Sequence, residues 1–152
     1  MIYCCRIHKP ESPLDLKPTP GTVEMLESSV FQKCVASSAP RQKIEHALNV
    51  SGLSDFFYNR IFSAYEVGSW KPAPDLFLHA AAQMGISPHL CVVVEDSTLG
   101  VTAALAAGMR VLHYAPTGSV MDNADGYLRH MSELPGLVEK ITADIRSHCG
   151  AR

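Results

Sequence analysis

Two adjacent carboxylates, Glu95 and Asp96, directly follow an apolar run and are the residues of this sequence best suited to chemistry. The run is Cys91-Val92-Val93-Val94, which predicts a strand buried on both faces because β-branched residues fit a pleated interior. Ser97 then stands as a helix N-cap candidate before an Ala-rich helix that ends at Gly108. Carboxylate oxygens at the end of a parallel strand suit a divalent ion, most simply Mg²⁺. The alternative is that the two charges only favour the N-terminal dipole of the helix.

Hydroxyl and ammonium groups occupy two further loops. Ser37 and Ser38 follow a strand candidate, and hydroxyls beside free backbone N–H groups at a helix start can cradle a phosphate. Lys71 lies between Trp70 and Pro72, and its ammonium would offset repulsion between phosphate oxygens and acids by about 4 kcal/mol per pair at an effective dielectric of ~20. Each group also has a plain alternative, which is an N-cap for Ser37 and a solvated side chain for Lys71. Together the three loops predict a site for a phosphate and a metal ion.

Strands and helices alternate along the chain, which predicts an α/β fold with βαβ units and a parallel sheet. In such a sheet every strand-to-helix loop emerges at the same edge, so the three loops should meet there. The apolar runs predict strands at 31–36, 60–64, 91–95 and 110–114. Turn residues and helical spacing predict helices at 21–28, from Pro40 onward, at 74–84, at 97–107 and at 134–147.

Composition limits the classes of function. The chain has 152 residues, is 47% hydrophobic and carries a net charge of −2, which fits one globular domain and argues against a nucleic-acid or anionic-membrane surface. No apolar run approaches the ~20 residues of a membrane span. The five cysteines are odd in number and show no CxxC spacing, which favours reduced thiols in the cytoplasm. The seven histidines are scattered, and each is predicted to lie at the surface or in the core.

The order of the three loops resembles the haloacid dehalogenase-like hydrolase superfamily, within it the sugar-phosphate phosphatases and β-phosphoglucomutases. Three motifs and one lead-in segment carry the resemblance. The motifs are Cys34-Val35-Ala36-Ser37, Lys71-Pro72-Ala73-Pro74-Asp75, and Val92-Val93-Val94-Glu95-Asp96-Ser97 with Gly100, Ala103, Ala104, Ala107, Gly108 and Met109. The lead-in segment is Leu16-Lys17-Pro18-Thr19-Pro20-Gly21. It implies a three-layer Rossmann-like core and a phosphatase-type hydrolase acting on a small phosphorylated metabolite. It further implies Ser37 and Lys71 as catalytic and phosphate-binding residues with Ser38 beside them, and Asp96 and Glu95 as Mg²⁺ ligands.

The first motif of that family is absent from this sequence. The family uses an aspartate nucleophile after its first strand, but no aspartate precedes Asp15, which lies between prolines and not at the end of a predicted strand. The helical cap, which would lie between the first and second motifs, is missing as well. Without the carboxylate no phospho-aspartyl intermediate forms, so we expect a catalytically impaired, truncated domain with weak or lost Mg²⁺ binding. Two alternatives remain open: a binding module for a phosphorylated metabolite, or part of an active phosphohydrolase whose nucleophile segment is missing from this chain.

Loss of the first strand would leave two unpaired strand edges at the centre of the sheet. Residues 1–7 are the one unassigned apolar stretch, and we expect 2–6 to form the replacement strand between 31–36 and 91–95. Cys4 would then lie near the lost nucleophile and Arg6 near the lost acid. If another chain fills the gap instead, a homodimer results. The predicted organisation is one domain over 1–152, with a Pro-rich loop at 8–20 and a core at 21–148.

Overall fold

A single parallel sheet of six strands forms the centre of the molecule in the computed structural model, which describes residues 2–3 and 16–149. The strands are β1 (Ile2–Tyr3), β2 (Cys34–Ser37), β3 (Ile61–Ser63), β4 (Val92–Glu95), β5 (Arg110–Tyr114) and β6 (Gly126–Leu128). Their spatial order is β3-β2-β1-β4-β5-β6, and every neighbouring pair is parallel. The predicted fold class is confirmed.

Helices cover both faces of the sheet. They are α1 (Thr22–Ser28), α2 (Arg41–Val50), α3 (Ser54–Phe57), α4 (Ala64–Val67), α5 (Asp75–Met84), α6 (Thr98–Ala106) and α7 (Leu134–Cys149). Along β4, Val92 and Val94 join a core cluster with residues of α1, α2 and α7, whereas Val93 joins a second cluster with residues of α5 and α6. Successive strand residues point to opposite faces, so this alternation produces three layers.

The central position in the sheet belongs to β1. Ile2 pairs with Cys34 on one side and Val93 on the other, and Tyr3 pairs with Val35 and Val94. The predicted replacement strand is therefore confirmed at residues 2 and 3, and at their level the chain itself separates β2 from β4. Predicted strand positions 4–6, including Cys4 and Arg6, lie outside the described residues, as does most of the Pro-rich loop.

Strand β2 begins later than predicted, at Cys34 rather than Phe31. Lys33 accounts for the difference, because its buried ammonium donates hydrogen bonds to Leu26 O at 2.7 Å and Ser29 O at 3.1 Å. These contacts close the C-terminal end of α1, so residues 31–33 serve the turn rather than the ladder.

Among the described residues, five elements escaped the sequence interpretation: β6, the short helices α3 and α4, and the 3₁₀ helices Pro88–Leu90 and Met131–Glu133. The segment Gly126-Tyr127-Leu128 holds no β-branched residue and only Tyr127 favours a strand, so its sequence signal is weak. It joins the sheet through pairing with β5 and through Asp125, whose carboxylate accepts a hydrogen bond from Val111 N at 2.7 Å. Within the described part of the chain, no helix is long and apolar enough to cross a membrane.

Candidate functional site

The Glu95 carboxylate is enclosed by the turn that joins β4 to α6. Its side chain is 2% exposed, and Oε2 accepts hydrogen bonds from Asp96 N at 3.1 Å, Ser97 N at 3.2 Å and Ser97 Oγ at 2.9 Å. Ser97 Oγ in turn accepts a hydrogen bond from Gly100 N at 3.1 Å, as an N-cap should. Glu95 therefore also has the structural role proposed by the alternative interpretation, a charge that satisfies N–H groups at a helix start.

Gly100 allows the carboxylate to take this position. A Cβ atom built at residue 100 would lie closer than 3.0 Å to the carboxylate carbon of Glu95 and to both of its oxygens. Only a residue without a side chain leaves this space open. Glu95, Ser97 and Gly100 thus act together: Ser97 donates hydrogen bonds to the Glu95 carboxylate, and Gly100 leaves room for it. The sequence interpretation missed this relation of Ser97 and Gly100 to Glu95.

Lys71 reaches the same carboxylate from the loop between α4 and α5. Its Nζ forms an ion pair with Glu95 Oε1, and its side chain is 8% exposed. The ammonium also lies over the ring of Phe77, 4.9 Å from the centroid, where the face of the ring attracts a cation. Lys71 is therefore not a solvated side chain, and the structure joins two loops that are 24 residues apart in sequence.

Ser37 ends β2 at the same edge of the sheet. It is half-buried, and its Oγ accepts a hydrogen bond from Ala39 N at 3.2 Å. The residue that precedes α2 is Pro40, so Ser37 is not the N-cap of that helix. Ser38 is exposed beside it. Because β1 lies between β2 and β4, the strand ends carrying Ser37 and Glu95 are separated by two strand spacings, roughly 10 Å.

Asp96 lies beside the end of β5. Burial raises the pKa of the Tyr114 phenol, and the negative charge of Asp96 raises it further. His113, the register partner of Glu95, is buried and accepts a hydrogen bond from Met121 N at its Nδ1 atom over 3.1 Å. The sequence interpretation singled out neither residue, although Tyr114 stands at a strand end, where site residues are expected.

Among the described residues, Asp96 is the carboxylate best suited to bind a Mg²⁺ ion. Mg²⁺ is usually bound by one or two carboxylates, with water and substrate phosphate as its other ligands. The two Glu95 oxygens already bind Lys71 and the turn N–H and O–H groups. Over residues 2–3 and 16–149, no group of three or more His, Cys, Asp or Glu side chains is arranged to hold a metal ion.

In this three-layer parallel fold, Ser37, Glu95 and Asp96 stand at or directly after strand ends, and Lys71 reaches Glu95 from the loop between α4 and α5. Such an arrangement is typical of the core of a phosphatase-type hydrolase. Comparison with known families agrees, since the sequence model described as haloacid dehalogenase-like hydrolase matches residues 10–108. The chain belongs to the haloacid dehalogenase-like hydrolase family.

Individual relatives support the predicted sugar-phosphate phosphatase branch. The 6-phosphogluconate phosphatase of Escherichia coli is 29% identical over 126 residues, which cover 81% of this chain and 57% of that protein. A haloacid dehalogenase-like protein of unknown function from Agrobacterium tumefaciens is 33% identical, with a TM-score of 0.81 over 86% of this chain and 64% of that one. A hydrolase of the family from Deinococcus radiodurans, solved with bound phosphate and sodium, is 29% identical, with a TM-score of 0.70 over 79% of this chain and 57% of that one. The chain thus spans little more than half the length of the curated phosphatase.

Proposed function

We propose that the carboxyl edge of the sheet binds the phosphate group of a small phosphorylated metabolite. The observation that carries this proposal is the buried ion pair between Lys71 and Glu95 at the end of β4. Removing two charges from water costs several kcal/mol per ion, so such a pair is a poor device for stability alone. Its effect here is to fix an ammonium at the end of β4, at the edge where parallel sheets bind ligands.

Each candidate residue has a distinct part in this proposal. Ser37, with Ser38 beside it, offers hydroxyl and backbone donors to the phosphate oxygens, and Lys71 offsets their charge. Asp96 is the proposed Mg²⁺ ligand, with Glu95 as the neighbouring carboxylate that holds Lys71. Mg²⁺, when bound, would neutralise charge on the phosphate oxygens.

Turnover needs a nucleophile in addition to these groups. Phosphoryl transfer in this family proceeds through an aspartate, and the sequence has none before Asp15. We therefore propose that the 152-residue chain binds phosphate esters without measurable hydrolysis, and binds Mg²⁺ no more tightly than about millimolar because few carboxylates remain. We propose that this phosphate binding takes place in the cytoplasm, where thiols stay reduced.

Two measurements on the purified chain test the proposal. Calorimetric titration with inorganic phosphate in the presence of Mg²⁺ should show binding that Lys71→Met weakens at least tenfold. Lys140→Met, which removes an exposed lysine on α7, should leave the affinity unchanged. Because Lys71→Met leaves the Glu95 carboxylate buried without its ammonium, the neutral pair Lys71→Met/Glu95→Gln is measured as well and should bind equally poorly.

The second measurement is turnover of 4-nitrophenyl phosphate with Mg²⁺. We expect a rate at background. Mg²⁺-dependent hydrolysis that Asp96→Ala abolishes would contradict the absence of catalysis and indicate an unrecognised nucleophile, with Cys4 the first residue to replace. Absence of phosphate binding would refute the proposed site itself.

A second candidate function is one part of an active phosphohydrolase whose nucleophile lies on a separate segment. The share of the Escherichia coli phosphatase that the chain covers, 57%, favours it. Adding a segment with the family's aspartate motif should then restore Mg²⁺-dependent hydrolysis to the mixture, and a mixture that stays inactive would argue against it.

A further inference from the structure

Two exposed aromatic rings lie in the connection between β3 and α5, which also carries Lys71. Tyr65 is 59% exposed and Trp70 is 47% exposed, and their ring centroids lie 5.4 Å apart at an interplanar angle of 80°. We call this pair the aromatic corner. Two perpendicular rings that remain this open to water leave aromatic surface available to a ligand.

The backbone links the aromatic corner to both groups proposed to hold the phosphate. Trp70 is the residue directly before Lys71. Tyr65 N donates a hydrogen bond to Ser63 Oγ at 3.2 Å, and Ser63 is the register partner of Ser37 in the neighbouring strand. Both rings therefore belong to the connection between β3 and α5, the same connection that carries Lys71.

The backbone under Tyr65 is held firmly. Ser63 and Glu66 form a capping box at the start of α4, and Ser63 Oγ also donates to Ala39 O at 2.7 Å. The carboxylate of Glu66 forms a bidentate pair with Arg41 of α2. Since little ordering is left to be done on binding, the ring can contribute its contact at low entropic cost.

The backbone under Trp70 is held in the same way. Trp70 O accepts a hydrogen bond from Ala73 N at 3.0 Å, and the preceding residue Ser69 donates from Oγ to Asp75 Oδ2 at 2.9 Å. The loop that presents the indole is thus closed on itself and tied to the first turn of α5.

We propose that the aromatic corner binds a planar aromatic ring of the substrate, so that the preferred ligand is an aromatic phosphate ester such as a nucleoside monophosphate. This inference rests on the proposed phosphate site. A flat ring can stack on one side chain while its edge meets the other, and aromatic stacking is tolerant of the identity of the base. An open-chain sugar phosphate has no flat face to offer, so the corner selects against it.

A single tryptophan in the sequence makes the experiment specific, because the indole fluorescence of the chain reports on Trp70 alone. The purified chain is titrated with AMP, ribose 5-phosphate, adenosine and inorganic phosphate, all with Mg²⁺. We expect AMP to quench the fluorescence and to bind at least tenfold more tightly than ribose 5-phosphate or adenosine. Calorimetry then gives the affinities of variants that lack the indole.

Trp70→Leu should reduce the preference for AMP over ribose 5-phosphate to less than twofold while leaving inorganic phosphate binding unchanged. The matched control is Tyr127→Leu, which removes another exposed aromatic ring, on β6 at the far end of the sheet, and should keep the full preference. Retention of the tenfold preference by Trp70→Leu would overturn the aromatic assignment.

The remaining outcomes separate the two proposals. Equal affinity of the unaltered chain for AMP and ribose 5-phosphate, with inorganic phosphate still bound, overturns the aromatic corner as a specificity site and leaves the phosphate site standing. If adenosine binds as tightly as AMP, the proposed preference for an aromatic phosphate ester is overturned, because the adenine ring would then bind without help from the phosphate. Failure of inorganic phosphate to bind overturns the proposed function, and this inference with it.

Discussion

Replacing Gly100 by alanine tests whether the Glu95 carboxylate is held where the structure places it. The new Cβ would lie closer than 3.0 Å to the carboxylate carbon and both oxygens. The carboxylate cannot simply turn aside, because Lys71 holds one oxygen and the turn at Asp96 and Ser97 holds the other. The substitution must therefore break the ion pair, the hydrogen bonds, or both.

The expected cost follows from those contacts. Breaking a buried ion pair costs about 3–5 kcal/mol of the free energy of unfolding. Alanine returns up to about 1 kcal/mol because it is the better helix former. We expect Gly100→Ala to lower the free energy of unfolding by a net value of about 2–4 kcal/mol, measured by urea denaturation followed by circular dichroism.

Gly136→Ala is the matched control. Gly136 is likewise the third residue of its helix, α7, but a Cβ there would have no atom within 4 Å. Its replacement should leave stability unchanged or raise it slightly. In the Lys71→Met/Glu95→Ala background, where the carboxylate is gone, Gly100→Ala should also cost nothing. If Gly100→Ala in the unaltered chain unfolds at the same urea concentration as the parent, the reasoning about Glu95 is refuted.

Three further results are expected. Burial raises the pKa of Cys34 to about 12 from an ordinary value of 9.0. Between pH 9 and 12 the folded chain therefore keeps the thiol proton while the unfolded chain loses it, so the free energy of unfolding should fall over this range. In Cys34→Ala the fall should be smaller. Asp96→Asn should move the pKa of Tyr114 back towards its usual range without restoring it fully, since burial is the larger cause of the raised pKa. The measurement is the absorbance of the phenolate at alkaline pH. An unchanged titration in Asp96→Asn would mean that the two groups are far apart. Lys33→Met should lower the free energy of unfolding by about 1.5–3 kcal/mol through loss of two hydrogen bonds from a charged donor. Lys43→Met, which replaces an exposed lysine, should have no effect in the same denaturation assay. An equal loss in both variants would contradict the role of Lys33 at the end of α1.

The strands that carry the site were predictable because their signals are local. Val92 to Val94 is a β-branched run that stops at charged residues, and the runs that end at Ser37 and begin at Arg110 are likewise short, largely apolar and bounded by polar or turn-forming residues. Parallel order then follows from the alternation with helices. The weak signal of β6 shows the limit of this reasoning, because pairing with β5, rather than residue preference, makes Gly126–Leu128 a strand.

The sequence by itself determined which chemical groups come to the edge of the sheet, because Ser37, Glu95 and Asp96 end or directly follow a strand and Lys71 lies in the connection that follows β3. It did not determine what those groups do to one another. The pairing of Lys71 with Glu95 depends on the near-complete burial of both side chains, which are 8% and 2% exposed, and no local pattern encodes that burial. The space for the carboxylate depends on Gly100, which packs against it from the next helix. Only the tertiary structure decided that Glu95 binds a lysine as well as a helix start, that Asp96 is the carboxylate beside Tyr114, and that the rings of Tyr65 and Trp70 meet, because each of these relations depends on how the folded chain packs and not on residue preference.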